Sequence, residues 1–157
     1  MKTLFIYRLV MITLLSASMF SCLEKGLDDL PAFEDAEISS VNFEYRWLDN
    51  SNDFARLEVV KMNTVVDIPE GSTVVNCDIA VPDESESFPA SIRNNITLSN
   101  LVAYMDISVA AIIEPVGNAP VLGTPGDFSQ SSFEYEVIAA DGKTTNVWTI
   151  NINSFVK

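Results

Sequence analysis

Phe133-Glu134-Tyr135-Glu136-Val137-Ile138-Ala139-Ala140-Asp141-Gly142-Lys143-Thr144-Thr145-Asn146-Val147-Trp148-Thr149-Ile150-Asn151-Ile152 is the stretch whose reading decides the fold. In its first half Phe133, Tyr135 and Val137 alternate with Glu134 and Glu136. In its second half Trp148, Ile150 and Ile152 alternate with Thr149 and Asn151. A period of two sends the apolar set to one face of a strand and the polar set to the other. Asp141-Gly142 between the two runs is a strong hairpin signal, because glycine enters positive φ without a Cβ clash. The segment is therefore an antiparallel hairpin with one buried face.

The same period recurs upstream. Val41, Phe43, Tyr45 and Trp47 alternate with Asn42, Glu44 and Arg46, and Val75, Cys77, Ile79 and Val81 with Asn76 and Asp78. Leu101, Ala103, Met105, Ile107 and Val109 repeat it, and residues 54–62 and 64–68 are further strand-like runs. Polar or Pro/Gly-rich connections separate these runs at Asp49–Asp53, Pro69–Gly71 and Asp83–Asn95, while Pro115–Pro125 excludes a regular central strand. About seven short strands with no helical period predict an all-β fold over residues 37–157. The expected form is a single antiparallel β-sandwich of immunoglobulin-like type, with an antiparallel barrel as the alternative.

The amino terminus is built differently. Lys2 and Arg8 precede the twelve-residue run Leu9–Phe20, and Met19-Phe20-Ser21 leads into Cys22. A membrane span needs roughly 20 apolar residues, whereas a secretory signal needs about 7 to 15 behind a basic start. Residues 1–21 thus read as a signal peptide ending in a lipobox, with Cys22 the lipid-bearing first residue of the mature chain. Several acyl chains on one residue anchor stably, where one chain binds only marginally. Residues 22–36, with Glu24, Asp28, Asp29, Glu34, Asp35 and Pro31, read as an acidic disordered tether. Cys22-Leu23-Glu24-Lys25-Gly26-Leu27-Asp28-Asp29 resembles the acidic post-cysteine signals of Bacteroidota lipoproteins. That resemblance implies the outer membrane and its cell-surface face.

Loss of residues 1–21 leaves 7 of the 9 basic residues and all 22 acidic ones, a net charge of −15. A domain so acidic repels phosphate backbones and anionic headgroups, so nucleic acid is excluded as a partner and membrane contact runs through lipid on Cys22. With Cys22 acylated, Cys77 has no intramolecular partner. Its place beside Val75, Ile79 and Val81 marks it as a small buried hydrophobe.

Leu122-Gly123-Thr124-Pro125-Gly126-Asp127-Phe128-Ser129, followed by Tyr135–Gly142 and Trp148-Thr149-Ile150, resembles the C-terminal part of domain of unknown function 5018 and its relatives. Ile79-Ala80-Val81-Pro82 and Leu98-Ser99-Asn100-Leu101 are similar in order and spacing. The resemblance spans residues 38–153 and implies a β-sandwich lipoprotein associated with polysaccharide use. It brings no catalytic residues with it.

Chemistry is narrowed by composition. The chain has no histidine, so Ser-His and Cys-His nucleophile activation cannot be built. Zinc lacks its usual donor set, and Gly123-Thr124-Pro125-Gly126 lacks the lysine of a phosphate loop. Asp49, Ser51 and Asp53 alternate like the start of a calcium loop, but Phe54 stands where glycine is needed, so they read as a solvated turn. No metal, cofactor or catalytic residue is expected. Carboxylate pairs leave a small glycoside hydrolase as the least favoured function.

Glycan binding, which stacks sugar faces on exposed rings, is the favoured one. Most aromatics share apolar strand faces. Tyr104, on the face of Asp106, and Phe88, in a polar loop, do not. A platform of Tyr104, Trp47 and Asp49 is the candidate ligand site. A structural module docking to an outer-membrane protein partner is the alternative function. Replacing Cys22 with Ser should abolish palmitate labelling and release the chain from membranes, read by metabolic labelling and fractionation; a variant as membrane-bound as the parent overturns the anchor.

Overall fold

The computed structural model describes residues 33–50 and 54–157. The signal segment 1–21, Cys22 and the tether up to residue 32 lie outside the described residues. Nine strands follow in order: β1 Ile38–Asp49, β2 Arg56–Lys61, β3 Asn63–Asp67, β4 Val74–Ala80, β5 Leu101–Ile107, β6 Ile112–Val116, β7 Pro125–Gly126, β8 Ser132–Ile138 and β9 Thr145–Val156. They form two sheets, ordered β2-β1-β5-β7 and β3-β4-β9-β8-β6, packed as an all-β sandwich. One four-residue helix, α1 (Ala90–Arg93), interrupts the connection between β4 and β5.

The period-two faces of the sequence are the inner faces of the two sheets. Val41 and Phe43 of β1 lie beside Met105 and Ala103 of β5. Across the interior, Val75 and Cys77 of β4 lie beside Ile150 and Ile152 of β9, and Tyr135 of β8 lies beside Trp148. Most of these side chains are fully buried. Burial pushes the Cys77 thiol up to about 11, with the Asp78 charge adding to it, so the thiol stays protonated and inert at neutral pH.

One ladder departs from the antiparallel expectation: β4 and β9 run parallel. Alternation of side chains carries no information on strand direction. A parallel pair requires only a crossover of a dozen or more residues, and residues 81–144 are long enough to build the other sheet's β5 and β7 and return. Pro115 lies in β6, the outermost strand of its sheet, where a missing N–H removes no ladder bond.

The Pro/Gly-rich connection closes the open side of the sandwich. The Phe128 ring meets Phe43 of one sheet and Phe133 of the other edge-on, both at 5.4 Å between centroids. The Tyr135 hydroxyl donates to the Pro120 carbonyl at 2.8 Å, and the Gly123 amide donates to the Ala103 carbonyl at 2.9 Å. Burial pushes the Tyr135 phenol up to about 12, which keeps it a donor. The residues that carried the family resemblance are thus a structural clasp.

The β8–β9 turn is held by one side chain. Asp141 accepts from the Lys143 and Thr144 amides at 2.8 and 2.9 Å and from the Thr144 hydroxyl at 2.8 Å, while Gly142 sits at φ +65°. The end of the segment read as tether is stitched to the same hairpin. The Ala36 carbonyl accepts from Trp148 Nε1 at 3.0 Å and Asn146 Nδ2 at 3.1 Å, and the Phe33 carbonyl accepts from the Asp141 amide at 3.2 Å.

Two outcomes follow. A methyl on Gly126 would stand 2.5 Å from Pro120 Cβ, so Gly126→Ala should lower stability by about 1–3 kcal/mol in urea titration; unchanged stability would show that the clasp yields freely. The Lys143 and Thr144 amides hold Asp141 below the usual carboxylate range. A carboxylate depressed in the folded state stabilises above its unfolded pKa, about 3.9, and loses that contribution as pH falls through its folded value. The melting-temperature gap between the wild type and Asp141→Ala should hold from pH 7 to 5 and narrow below about pH 4.

Candidate functional site

β1 is longer than the core it serves. Its first half, Ile38–Glu44, pairs with β5, and its second half, Glu44–Asp49, pairs with β2. The inward-facing residues of that second half, Tyr45, Trp47 and Asp49, therefore run past the packed interior toward one end of the sandwich. Val60, Glu58 and Arg56 of β2 lie directly across from them in the same order. Apolar pairs give way to polar ones within two residues, as the face changes from core to solvent.

The opposing wall comes from the polar connection after β4. Ser85 and Phe88 exchange backbone hydrogen bonds at 2.9 and 3.1 Å, folding residues 85–88 into a tight turn. That turn drops the Phe88 ring against Trp47, 6.0 Å between centroids, and Trp47 stacks on Tyr45 at 6.1 Å. Pro89 then starts α1, and Arg93 Nε ties the far end back to the Pro82 carbonyl at 2.9 Å.

Between these walls lies a cleft of about 550 Å³. Trp47 and Pro89 give it flat apolar surface, Ser87 and Ser91 hydroxyls, and Asp49, Glu58 and Glu86 carboxylates. Its cation, Arg56, is held by Glu58 through an Nε to Oε1 contact of 2.5 Å. Three carboxylates against one guanidinium leave the cleft negative.

Trp47 and Asp49, singled out from the sequence, line this cleft together. Tyr104 does not join them. It pairs with Asn42, so it lies on the outer face of the sheet, whereas Trp47 shares the inner face with Phe43. No single platform can contain both. Phe88 is buried rather than exposed; its flanking Glu84, Glu86 and Ser87 suggested a solvated loop, but the tight turn folds the ring inward beneath Trp47. Sequence reading also missed Arg56, Glu58, Glu86 and Ser91. Arg56 and Glu58 were legible in principle as the polar residues of a strand, but their register against Trp47 and Asp49 is set by pairing with β1. Ser51 and Asp53 of the Asp49–Asp53 run lie outside the described residues, as does Cys22. Among the described residues no cluster of three or more acidic or cysteine side chains is arranged to hold a metal ion, and no helix is long and apolar enough to cross a membrane.

A family model described as DUF5018-related matches residues 38–151. A solved structure from Bacteroides fragilis, of a protein assigned as secreted, is similar with a TM-score of 0.71 and 29% identity, over 81% of this chain and 100% of that one. A Bacteroides thetaiotaomicron structure, of a protein assigned as a glycoside hydrolase, has a TM-score of 0.44 and 21% identity, over 81% of this chain and 27% of that one. No curated protein matches the chain.

Proposed function

The chain belongs to the DUF5018-related family, and from that premise we propose that it is a lipid-anchored, non-catalytic glycan-binding module of the outer cell envelope. Its binding site is the cleft that begins at Trp47. The carrying observation is the composition of that cleft: an indole backed by Phe88 and Tyr45, flanked by carboxylates, serine hydroxyls and an arginine held in place by Glu58. A sugar ring presents an apolar face of C–H groups and a rim of hydroxyls. The indole suits the first, and charged acceptors and donors suit the second. A ring already braced on two sides loses little freedom on binding, which lowers the ordering cost.

Charge sets the class of glycan. Asp49, Glu58 and Glu86 exceed Arg56, and the whole chain carries −13, so uronic-acid and sulfated polymers meet repulsion. Neutral oligosaccharides do not. The similarity to a Bacteroides protein assigned as secreted supports export, and the Cys22 lipobox supports tethering after it. Absence of histidine supports binding over catalysis.

Isothermal titration against neutral and uronate-containing oligosaccharides tests this reading. Binding should be confined to neutral glycans, and Trp47→Ala should weaken it at least tenfold, about 1.4 kcal/mol. Tyr104→Ala, on the opposite face, should leave affinity unchanged. Affinity indifferent to Trp47→Ala removes the cleft as the site, and no binding across the panel removes the function.

A further inference from the structure

β2 is an outermost strand of its sheet, with β1 on one side and no described strand on the other. Its register identifies the peptide groups that lie free. The Met62 amide donates to the Phe43 carbonyl at 2.9 Å, which makes these residues a hydrogen-bonded pair. Such pairs recur at every second residue of an antiparallel ladder. Val60, Glu58 and Arg56 therefore turn their N–H and C=O groups toward β1, and Leu57, Val59 and Lys61 turn theirs outward.

Natural sheets blunt exposed edges with proline, short length or unpaired charge. The other outer strands of this fold show such devices: β6 carries Pro115, β7 has two residues, and β3 has Asp67 with no cation to accompany it. β2 is different. It is longer than the others and has no proline, and on its outer face Leu57 lies across from Leu48 and Val59 across from Arg46, with its lysine, Lys61, confined to the end across from Glu44. Leu48, Leu57 and Val59 are 61%, 59% and 46% exposed. Its inner face carries Arg56 and Glu58, opposite charges two positions apart.

We propose that β2 pairs antiparallel with β2 of a second copy of this chain, about a two-fold axis through Leu57, joining two four-stranded sheets edge to edge. In that register Leu57 faces Leu57, Ala55 faces Val59, and Arg56 faces Glu58 twice. The central pair uses the outward-turned peptide groups. Neighbouring registers fail on one count or the other. Centring on Glu58 opposes two carboxylates and needs groups already turned toward β1. Centring on Val59 sets Leu57 against Lys61 and leaves Arg56 and Glu58 without opposite charges. Cross-strand pairs of opposite charge stabilise a sheet, and like charges directly opposed destabilise it. The paired edge also makes one apolar stripe of Leu48, Leu57 and Val59 from both copies. Each chain carries −13, but beyond about 8 Å that repulsion is screened at physiological salt, so contacts at the edge decide. Arg56 and Glu58 also line the Trp47 cleft, but the cross-link below reads the pairing without any glycan.

Leu57→Cys in the full-length chain, oxidised in intact membranes, tests the register. Directly opposed hydrogen-bonded residues have Cα atoms about 5.5 Å apart, inside the range of a disulfide. The expected result is a reducible dimer of twice the chain mass, absent from the parent chain, whose Cys77 is buried. Val65→Cys, 68% exposed on β3, should remain monomeric. Adding Arg56→Glu to Leu57→Cys should reduce the dimer at least tenfold, and adding Glu58→Arg to that pair should restore it, since the swapped charges again face their opposites. A Leu57→Cys chain that stays monomeric, a dimer indifferent to Arg56→Glu, or cross-linking to a protein of different mass would each overturn the proposal.

Discussion

Phe128 is the side chain on which the two-layer arrangement depends. It belongs to neither sheet's ladder, yet its ring lies against Phe43 of one sheet and Phe133 of the other. Burying an aromatic of this size and losing it to alanine differ by about 3–5 kcal/mol, a large part of the margin of a typical domain. Phe128 is held in that position by the backbone around it. Its amide donates to the Leu98 carbonyl, Tyr135 fixes Pro120, and Gly126 lets Pro120 approach closer than any Cβ would permit. The distinctive sequence of this region is therefore a solution to a packing problem. It brings an irregular segment over the open side of a sandwich while burying Phe128 and engaging the Pro120 carbonyl.

That explains which parts of the molecule were legible in the sequence. Faces with a period of two were readable because burial itself imposes the period: Phe133, Tyr135 and Val137, or Val75, Cys77 and Ile79, point inward as the alternation predicts. The Asp141-Gly142 turn was readable because one positive φ and one carboxylate specify it locally. Strand direction and partner were not. β4 beside β9, and Tyr104 opposite Asn42 rather than near Trp47, depend on contacts between residues far apart in the chain. Phe88 misled because composition describes the average environment of a loop, while one tight turn sets the direction of a single ring. The clasp residues were recognised as a pattern before their physical role was apparent.

The cleft and the free edge share a cause. β1 has twelve residues and changes partner midway, from β5 to β2 at Glu44. On the core side of that change the inner face is covered by the second sheet. Beyond it, among the described residues, the Phe88 turn and α1 stand opposite Trp47, and the gap between them is lined by polar groups. The outer face of the same extension has no cover, which leaves Leu48, Leu57 and Val59 in water. One structural decision, extending a strand beyond its core, thus creates both a concave surface with convergent polar groups and an apolar edge. Both features are costly in a chain whose role is merely to fold, because each exposes aromatic or aliphatic area that a shorter β1 would not.

The distribution of titrating groups shows how the scaffold is fastened. Among the described residues, burial raises the Cys77 thiol and the Tyr135 phenol, and hydrogen bonds lower Asp127 and Asp141. Each shift has a structural account: a thiol in the core, a phenol in the clasp, and two aspartates fastening turns. None of these four groups lines the Trp47 cleft. The cleft combines a braced indole with carboxylates, hydroxyls and a guanidinium anchored by Glu58. The domain therefore spends the polar groups of its clasp and turns on rigidity, while the extended half of β1 gathers an indole, carboxylates and hydroxyls around a gap.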